Sequence, residues 1–209
     1  MDAVEIETGS PPQAAVLWLH GLGADGHDFE PIVPELDLPK PVRFVFPHAP
    51  IQPVTINNGM RMRAWYDIFQ FGGGREDDKG IRASQKLLEK LIEEQPTDKV
   101  ILAGFSQGGA IVLQTALRYP KKVAGLMALS TYLPLASTLA AERSAANAQI
   151  PIFMAHGQYD DIIPIQRARD SKNALEKLGY KVEWHEYPMP HSVCGEEVED
   201  ISTFLSSLL

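Results

Sequence analysis

The sequence has little of the residue patterns that mark secreted or membrane proteins. Its 209 residues contain one cysteine, Cys194, which excludes an intramolecular disulfide and removes any need for an oxidising compartment. No apolar run reaches the length of a membrane span. The first residues lack the basic start and apolar centre of a signal peptide. We therefore expect a cytoplasmic protein without stable membrane insertion.

Positive charge is also scarce. Lysine and arginine number 19 against 27 aspartates and glutamates, for a formal net charge of -8. Such a chain is not attracted to nucleic acid or to anionic membrane surfaces, so no nucleic acid partner is expected. The sequence has no Cys or His cluster with zinc spacing and no G-x-x-x-x-G-K phosphate loop. We expect neither a metal nor an organic cofactor.

The chain alternates between strand-like and helix-like segments. Its 44% hydrophobic and 22% charged residues are typical of a globular protein, and its length suits a single α/β domain over residues 1–209. Alternation of this kind predicts a mostly parallel sheet covered by helices on both faces, without a large cap domain. The predicted strands are 14–20, 42–46, 99–105, 123–130, 150–156 and 181–187, and the predicted helices are 28–36, 80–95, 107–119, 165–178 and 195–208.

The most informative segment is Gly-Phe-Ser-Gln-Gly at residues 104–108. It matches the G-x-S-x-G nucleophile elbow, and it follows a predicted strand and precedes a predicted helix. A sharp turn there holds the Ser106 hydroxyl above the sheet edge, and glycines on both sides let strand and helix approach closely. The helix amides point to where negative charge would develop. An ordinary Gly-rich turn with an incidental serine is the alternative.

A hydrolytic triad on this fold runs in the order serine, acid, histidine. The strand at 150–156 leads into Asp160 and Asp161, at the sheet end where parallel sheets place their chemistry. Spacing alone does not distinguish these two aspartates.

Six histidines compete for the role of general base. His191 lies in a loop after the last predicted strand, where it can reach over the serine. His185 lies inside an alternating strand and is better explained as a sheet residue. The remaining four, His20, His27, His48 and His156, precede or adjoin the wrong elements.

Backbone amides complete the predicted site. The strand at 14–20 ends in His-Gly-Leu-Gly at residues 20–23. Hydrolases of this type draw one oxyanion donor from such a loop and one from the residue after the nucleophile. Here these donors are the N–H groups of Leu22 and Gln107.

The chain resembles the carboxylesterase and acyl-protein thioesterase family of α/β-hydrolases, and in particular its small bacterial carboxylesterases. The resemblance implies Ser106 as nucleophile, Asp160 as acid, His191 as base, and Leu22 and Gln107 in the oxyanion hole. The matching stretches run through nearly the whole chain: 19–25 (LHGLGAD), 47–50 (PHAP), 65–67 (WYD), 103–110 (AGFSQGGA), 129–132 (LSTY), 156–160 (HGQYD) and 187–191 (YPMPH).

Two features depart from the family pattern. The residue before the triad histidine is usually glycine and here is Pro190, which fixes φ and lacks an N–H. The segment 69–80 is short where the family has a loop that borders the acyl channel.

The substrate prediction is a small-molecule ester with a short to medium acyl chain. The segments 60–71 and 132–139 supply the predicted apolar groove, and its substrate-binding residues are Trp65, Phe69, Phe71 and Leu133. Each of these could instead pack in the core. The sequence predicts a serine carboxylesterase; acyl-protein thioesterase or lysophospholipase activity with the same triad, and a non-catalytic binding protein on a hydrolase fold, are the alternatives. A homodimer is left open.

Overall fold

The central sheet of the computed structural model is built from strands that are apolar on both faces. The structure describes residues 1–70 and 74–209. In the second strand, β2 (Ala14–Leu19), all six side chains are buried. Leu17 and Leu19 pack on one face of the sheet and Val16 and Trp18 on the other, because successive side chains of a strand point to opposite faces. Such a strand is stable only when helices cover both faces.

Nine strands and five α-helices occur in the described residues. The strands are β1 (Ala3–Glu7), β2, β3 (Val42–Pro47), β4 (Ile51–Val54), β5 (Met60–Arg63), β6 (Val100–Phe105), β7 (Gly125–Leu129), β8 (Ile152–Gly157) and β9 (Val182–Tyr187). The helices are α1 (Asp78–Glu93), α2 (Gln107–Arg118), α3 (Ala136–Glu142), α4 (Ile165–Lys177) and α5 (Gly195–Leu208).

Seven strands form the sheet in the order β1-β3-β2-β6-β7-β8-β9. Only the β1–β3 pair is antiparallel, and all other neighbours in this sheet are parallel. The carboxyl ends of β2, β6, β8 and β9 therefore meet at one edge of the sheet, where open α/β sheets bind ligands. The fold is that of an α/β-hydrolase, as the sequence predicts, and no large cap is inserted within the described ranges.

The structure corrects the sequence prediction at several elements. The helix predicted at 28–36 is a 3₁₀ helix over Glu30–Glu35, because Pro34 lacks the N–H that an α-helix would need there. Strand β1, the β4–β5 hairpin and helix α3 were not predicted. No helix in the part of the chain that the structure describes is long and apolar enough to cross a membrane.

Candidate active site

Ser106 lies in the turn between β6 and α2 in a strained backbone conformation. Its φ of 54° and ψ of -117° lie in a region that non-glycine residues rarely occupy and that often marks functional sites. The turn requires glycine on both sides. A Cβ on Gly104 would lie 2.5 Å from the carbonyl carbon of Gly108, and one on Gly108 would lie 2.3 Å from the carbonyl oxygen of Leu19.

Hydrogen bonds to neighbouring strands and helices hold the strained turn. The Ser106 N–H donates to the carbonyl of Leu129 (2.9 Å), at the end of β7. Its own carbonyl accepts from the Thr131 hydroxyl (2.6 Å) and from the Ala110 N–H (3.1 Å). Thr131 was not singled out from the sequence, since nothing local marks it as a partner of the serine.

The structure brings Ser106, His191 and Asp160 into one chain of hydrogen bonds. Nε2 of His191 lies 2.9 Å from Ser106 Oγ, and Nδ1 lies 2.6 Å from Asp160 Oδ2. The Nδ1–H donates to the carboxylate, which leaves Nε2 to accept the serine hydroxyl proton. Asp161 is exposed, so the structure selects Asp160 of the two candidate acids as the partner of the histidine.

Asp160 is held by donors on both carboxylate oxygens. Oδ1 accepts from the N–H groups of Ile162 (2.9 Å) and Ile163 (2.8 Å). Burial raises the pKa of this carboxyl group, but hydrogen bonds from His156, His191 and the Ile163 amide outweigh it and hold the pKa below its usual range. Asp160 is therefore ionised at neutral pH and can orient and stabilise a protonated His191.

The loop of Leu22 is fixed beside the serine. The His20 Nε2 accepts the N–H of Ala49 (3.0 Å), so its Nδ1 carries the hydrogen and donates to the Gly21 carbonyl (2.7 Å). Burial lowers the pKa of His20, which keeps this tautomer neutral. Leu22 and Gln107 both line a cavity that opens at Ser106.

A cavity of about 300 Å³ opens at Ser106 and His191. This volume is at the small end of the range for ligand pockets, about 300–1,000 Å³. Its apolar and aromatic walls come from Leu22, Tyr66, Ile68, Phe69, Phe105, Tyr132, Ile162 and Ile163, and its charged lining residues are Asp28, Asp67, Arg75, Glu76, Asp77 and Arg167.

Of the predicted substrate-binding residues, Phe69 lines this cavity, with the Arg75 guanidinium stacked 4.9 Å from its ring centre. Trp65 and Leu133 are core residues instead, only 2% and 6% exposed. Their chain neighbours Tyr66 and Tyr132 line the cavity and bring their hydroxyl oxygens within 2.8 Å of each other. Phe71 lies outside the described residues.

The Gln107 side chain joins the serine turn to the cavity wall. Its Oε1 accepts the Trp65 N–H (2.8 Å), and its Nε2 donates to the Tyr66 carbonyl (2.7 Å). The Trp65 indole N–H in turn donates to the His20 carbonyl (2.9 Å). Trp65 thus connects the loop after β2 to the Gln107 side chain without lining the cavity itself.

No group of His, Cys, Asp or Glu side chains within residues 1–70 and 74–209 has the arrangement that would hold a metal ion. The side chains of Ser106, His191 and Asp160 are arranged for proton transfer from the hydroxyl to an imidazole that a carboxylate holds. This arrangement activates a serine for acyl transfer.

Comparisons with known proteins identify the family of the chain. The whole chain, residues 1–209, matches the phospholipase/carboxylesterase family. Acyl-protein thioesterase 1 of Mycosarcoma maydis is 39% identical, over 97% of this chain and 94% of that protein. The crystal structure of Zea mays acyl-protein thioesterase 2 matches with a TM-score of 0.89 at 28% identity, covering 99% of each chain. The Bacillus cereus carboxylesterase structure, with a TM-score of 0.79 at 18% identity over 99% of this chain and 95% of its own, supports the fold alone.

Because the family model spans the whole chain and a relative of 39% identity covers 97% of it, the chain belongs to the phospholipase/carboxylesterase family of α/β-hydrolases and is a serine hydrolase of the esterase and thioesterase type.

Proposed function

We propose that the protein is an acyl-protein thioesterase, which removes acyl groups from thioester-linked cysteines and also hydrolyses carboxylic esters. The observation that carries the chemistry is the hydrogen-bonded chain from Ser106 Oγ through His191 to Asp160 beside an apolar cavity. The thioester substrate is supported by relatives of more than 30% identity that are named acyl-protein thioesterase 1.

In the first half of the reaction, Ser106 Oγ attacks the carbonyl carbon of the acyl group while His191 Nε2 takes the hydroxyl proton. Asp160 holds the imidazole in the required tautomer and stabilises its protonated form. The N–H groups of Leu22 and Gln107 bind the oxygen of the tetrahedral intermediate, each contributing about 3 kcal/mol in the transition state.

The intermediate then collapses. The carbon–sulfur or carbon–oxygen bond breaks, His191 gives its proton to the departing thiolate or alkoxide, and the acyl group remains on Ser106 as an ester. Water attacks this ester, with His191 again taking the proton, and the second collapse returns the proton to Ser106 Oγ and releases the carboxylic acid.

A second candidate is a carboxylesterase for short- to medium-chain esters. The observation in its favour is the cavity itself, whose volume of about 300 Å³ is modest and whose lining includes Arg75, Glu76 and Asp77 beside the apolar walls. A buried methylene contributes about 0.8 kcal/mol. A closed apolar channel would therefore make kcat/KM rise steeply with acyl length, whereas an open polar-rimmed groove would make it level off.

The nucleophile is tested with Ser106→Ala. A fluorophosphonate probe is expected to label the parent at Ser106 and not this variant, which should fold normally and lose hydrolysis. Labelling at another serine, or retained hydrolysis by Ser106→Ala, would remove the basis of the proposal.

The substrate class is tested by kcat/KM for p-nitrophenyl esters from acetate to palmitate and for S-palmitoyl and S-acetyl cysteine peptides. An acyl-protein thioesterase should prefer the S-palmitoyl peptide to the S-acetyl peptide. A maximum at short esters with slow S-palmitoyl cleavage would favour the carboxylesterase instead.

A further inference from the structure

His156 is a fully buried histidine beside the candidate active site, and the proposed reaction does not use it. It lies near the end of β8, and both its side chain and that of Asp160 are 0% exposed. Its Nε2 is 2.7 Å from the carbonyl oxygen of Ile163 and 3.2 Å from Asp160 Oδ2. Its ring therefore contacts the same carboxylate oxygen as His191.

The partner of Nε2 determines where the ring hydrogen lies. A carbonyl oxygen can only accept, so Nε2 carries a hydrogen and donates it to Ile163, close enough to Asp160 Oδ2 to be shared with it. The other nitrogen, Nδ1, is buried and has no hydrogen-bond partner among the described residues. An unpaired buried polar atom is unfavourable, so a histidine here is hard to explain by packing alone.

The contacts of His156 and Asp160 form a closed loop. The Ile163 N–H donates to Asp160 Oδ1 (2.8 Å), while the carbonyl of the same residue accepts from His156. His156 therefore holds the segment whose amides bind one carboxylate oxygen, and it also touches the other oxygen. Asp160 cannot turn away from His191 without breaking this set of contacts.

We propose that His156 is a positioning residue that, through Ile163 and Asp160, keeps Oδ2 of Asp160 directed at Nδ1 of His191. The inference rests on the role of Asp160 in the proposed function. Asp160 binds Nδ1 of His191, while Nε2 of the same ring lies 2.9 Å from Ser106 Oγ. A shift of the Asp160 carboxylate would therefore move Nε2 relative to the serine oxygen.

Two amide substitutions separate positioning from packing. In His156→Gln the side-chain nitrogen can occupy the position of Nε2, whereas in His156→Asn it occupies that of Nδ1. We expect His156→Asn and His156→Leu to lower kcat/KM for p-nitrophenyl acetate by about 100-fold, the effect of a misplacement of about 1 Å. His156→Gln should restore at least a tenth of the parent value by this reasoning.

His185 offers a matched control on the neighbouring strand. It lies on β9 opposite Ala155, is partly exposed, and contacts Glu183 and Asp200 rather than the active site. His185→Leu removes a histidine from the same sheet and should leave kcat/KM at the parent value.

A double-mutant cycle with Asp160→Asn provides the decisive measurement, because residues that act as a unit are non-additive. If His156 acts through Asp160, then Asp160→Asn with His156→Leu should be no slower than Asp160→Asn alone, both in kcat/KM and in the rate of fluorophosphonate labelling. A further loss of about 100-fold in kcat/KM of the double variant relative to Asp160→Asn, as large as the loss expected for His156→Leu alone, would overturn the inference. Equal activity of His156→Gln and His156→Asn would also overturn it. If His156→Leu does not fold, His156→Asn replaces it in the cycle.

The cycle also separates this inference from the proposed function. If Asp160→Asn alone keeps parent activity, or the parent is not labelled at Ser106, the proposed triad is wrong whatever His156 does. If Asp160→Asn loses activity and the parent is labelled at Ser106, but the effects of the two substitutions are additive, only the inference about His156 fails.

Discussion

Gly157 at the end of β8 lies directly against the chain that carries His191, and its replacement by alanine tests how tightly that chain is held. A Cβ at Gly157 would lie 2.3 Å from the carbonyl oxygen of Pro190 and 2.4 Å from that of Met189. Both atoms are backbone atoms, so no side-chain rotation relieves the clash. The chain at 189–190 must move by about 1 Å to reach ordinary contact distance.

The size of the effect follows from this displacement. His191 comes directly after Pro190, so the movement reaches the imidazole that lies 2.9 Å from Ser106 Oγ. A misplacement of about 1 Å lowers the rate by about 100-fold. Forced repacking costs about 1–3 kcal/mol, which for a chain of this length lowers Tm by about 2–12 °C.

The assay is kcat/KM for p-nitrophenyl acetate, measured well below the Tm of every variant, with Tm from thermal unfolding. Gly195→Ala is the matched control, since Gly195 begins α5 four residues after His191 and a Cβ there would meet no heavy atom within 4 Å apart from its chain neighbours and the backbone of its own helix. Alanine favours a helix over glycine by up to about 1 kcal/mol, so this variant should keep parent activity and an equal or higher Tm. Parent activity in Gly157→Ala, or an equal loss in both variants, would refute the argument.

The parallel core could be predicted from sequence because its signals are local. Strand β2 is a continuous apolar run, β8 begins with one at residues 152–155, and α1 has apolar residues at helical spacing. The elements that escaped prediction are short or lie at the edge: β1 is an edge strand of five residues, none of them fully buried, and β4 and β5 are four residues each. The segment 28–36 was predicted as a helix, but Pro34 limits it to a 3₁₀ helix.

At the site, sequence could predict the residues that belong to motifs but not the residues that support them. Ser106, Asp160 and His191 stand in a known order on predictable loops. The contact of His156 with Asp160 and the bond from Thr131 to the Ser106 carbonyl depend on how loops fold back at the sheet edge. Trp65 and Tyr66 show the same limit, because apolar character marked the segment but not which neighbour faces the cavity.

The remaining predictions concern metals, the cavity wall and pH. Dialysis against EDTA should leave ester hydrolysis unchanged, because His191 supplies the proton transfer; a loss restored by a divalent ion would contradict the mechanism. Gln107→Leu keeps the backbone N–H but leaves the Trp65 N–H and the Tyr66 carbonyl unpaired. Because Tyr66 lines the cavity, the ratio of kcat/KM for p-nitrophenyl octanoate to that for p-nitrophenyl acetate should fall several-fold. An unchanged ratio would exclude a role of the Gln107 side chain in holding the cavity wall. Glu197 is fully buried, and burial raises its pKa from 4.5 to about 8. Between pH 4.5 and 8 the folded protein retains a proton that the unfolded chain has released. The free energy of unfolding therefore falls as pH rises towards 8, by up to about 1.4 kcal/mol per pH unit. Glu197→Gln should therefore raise the urea midpoint at pH 8 and flatten its decline between pH 5 and 8; a decline as steep as in the parent would show that another group is responsible.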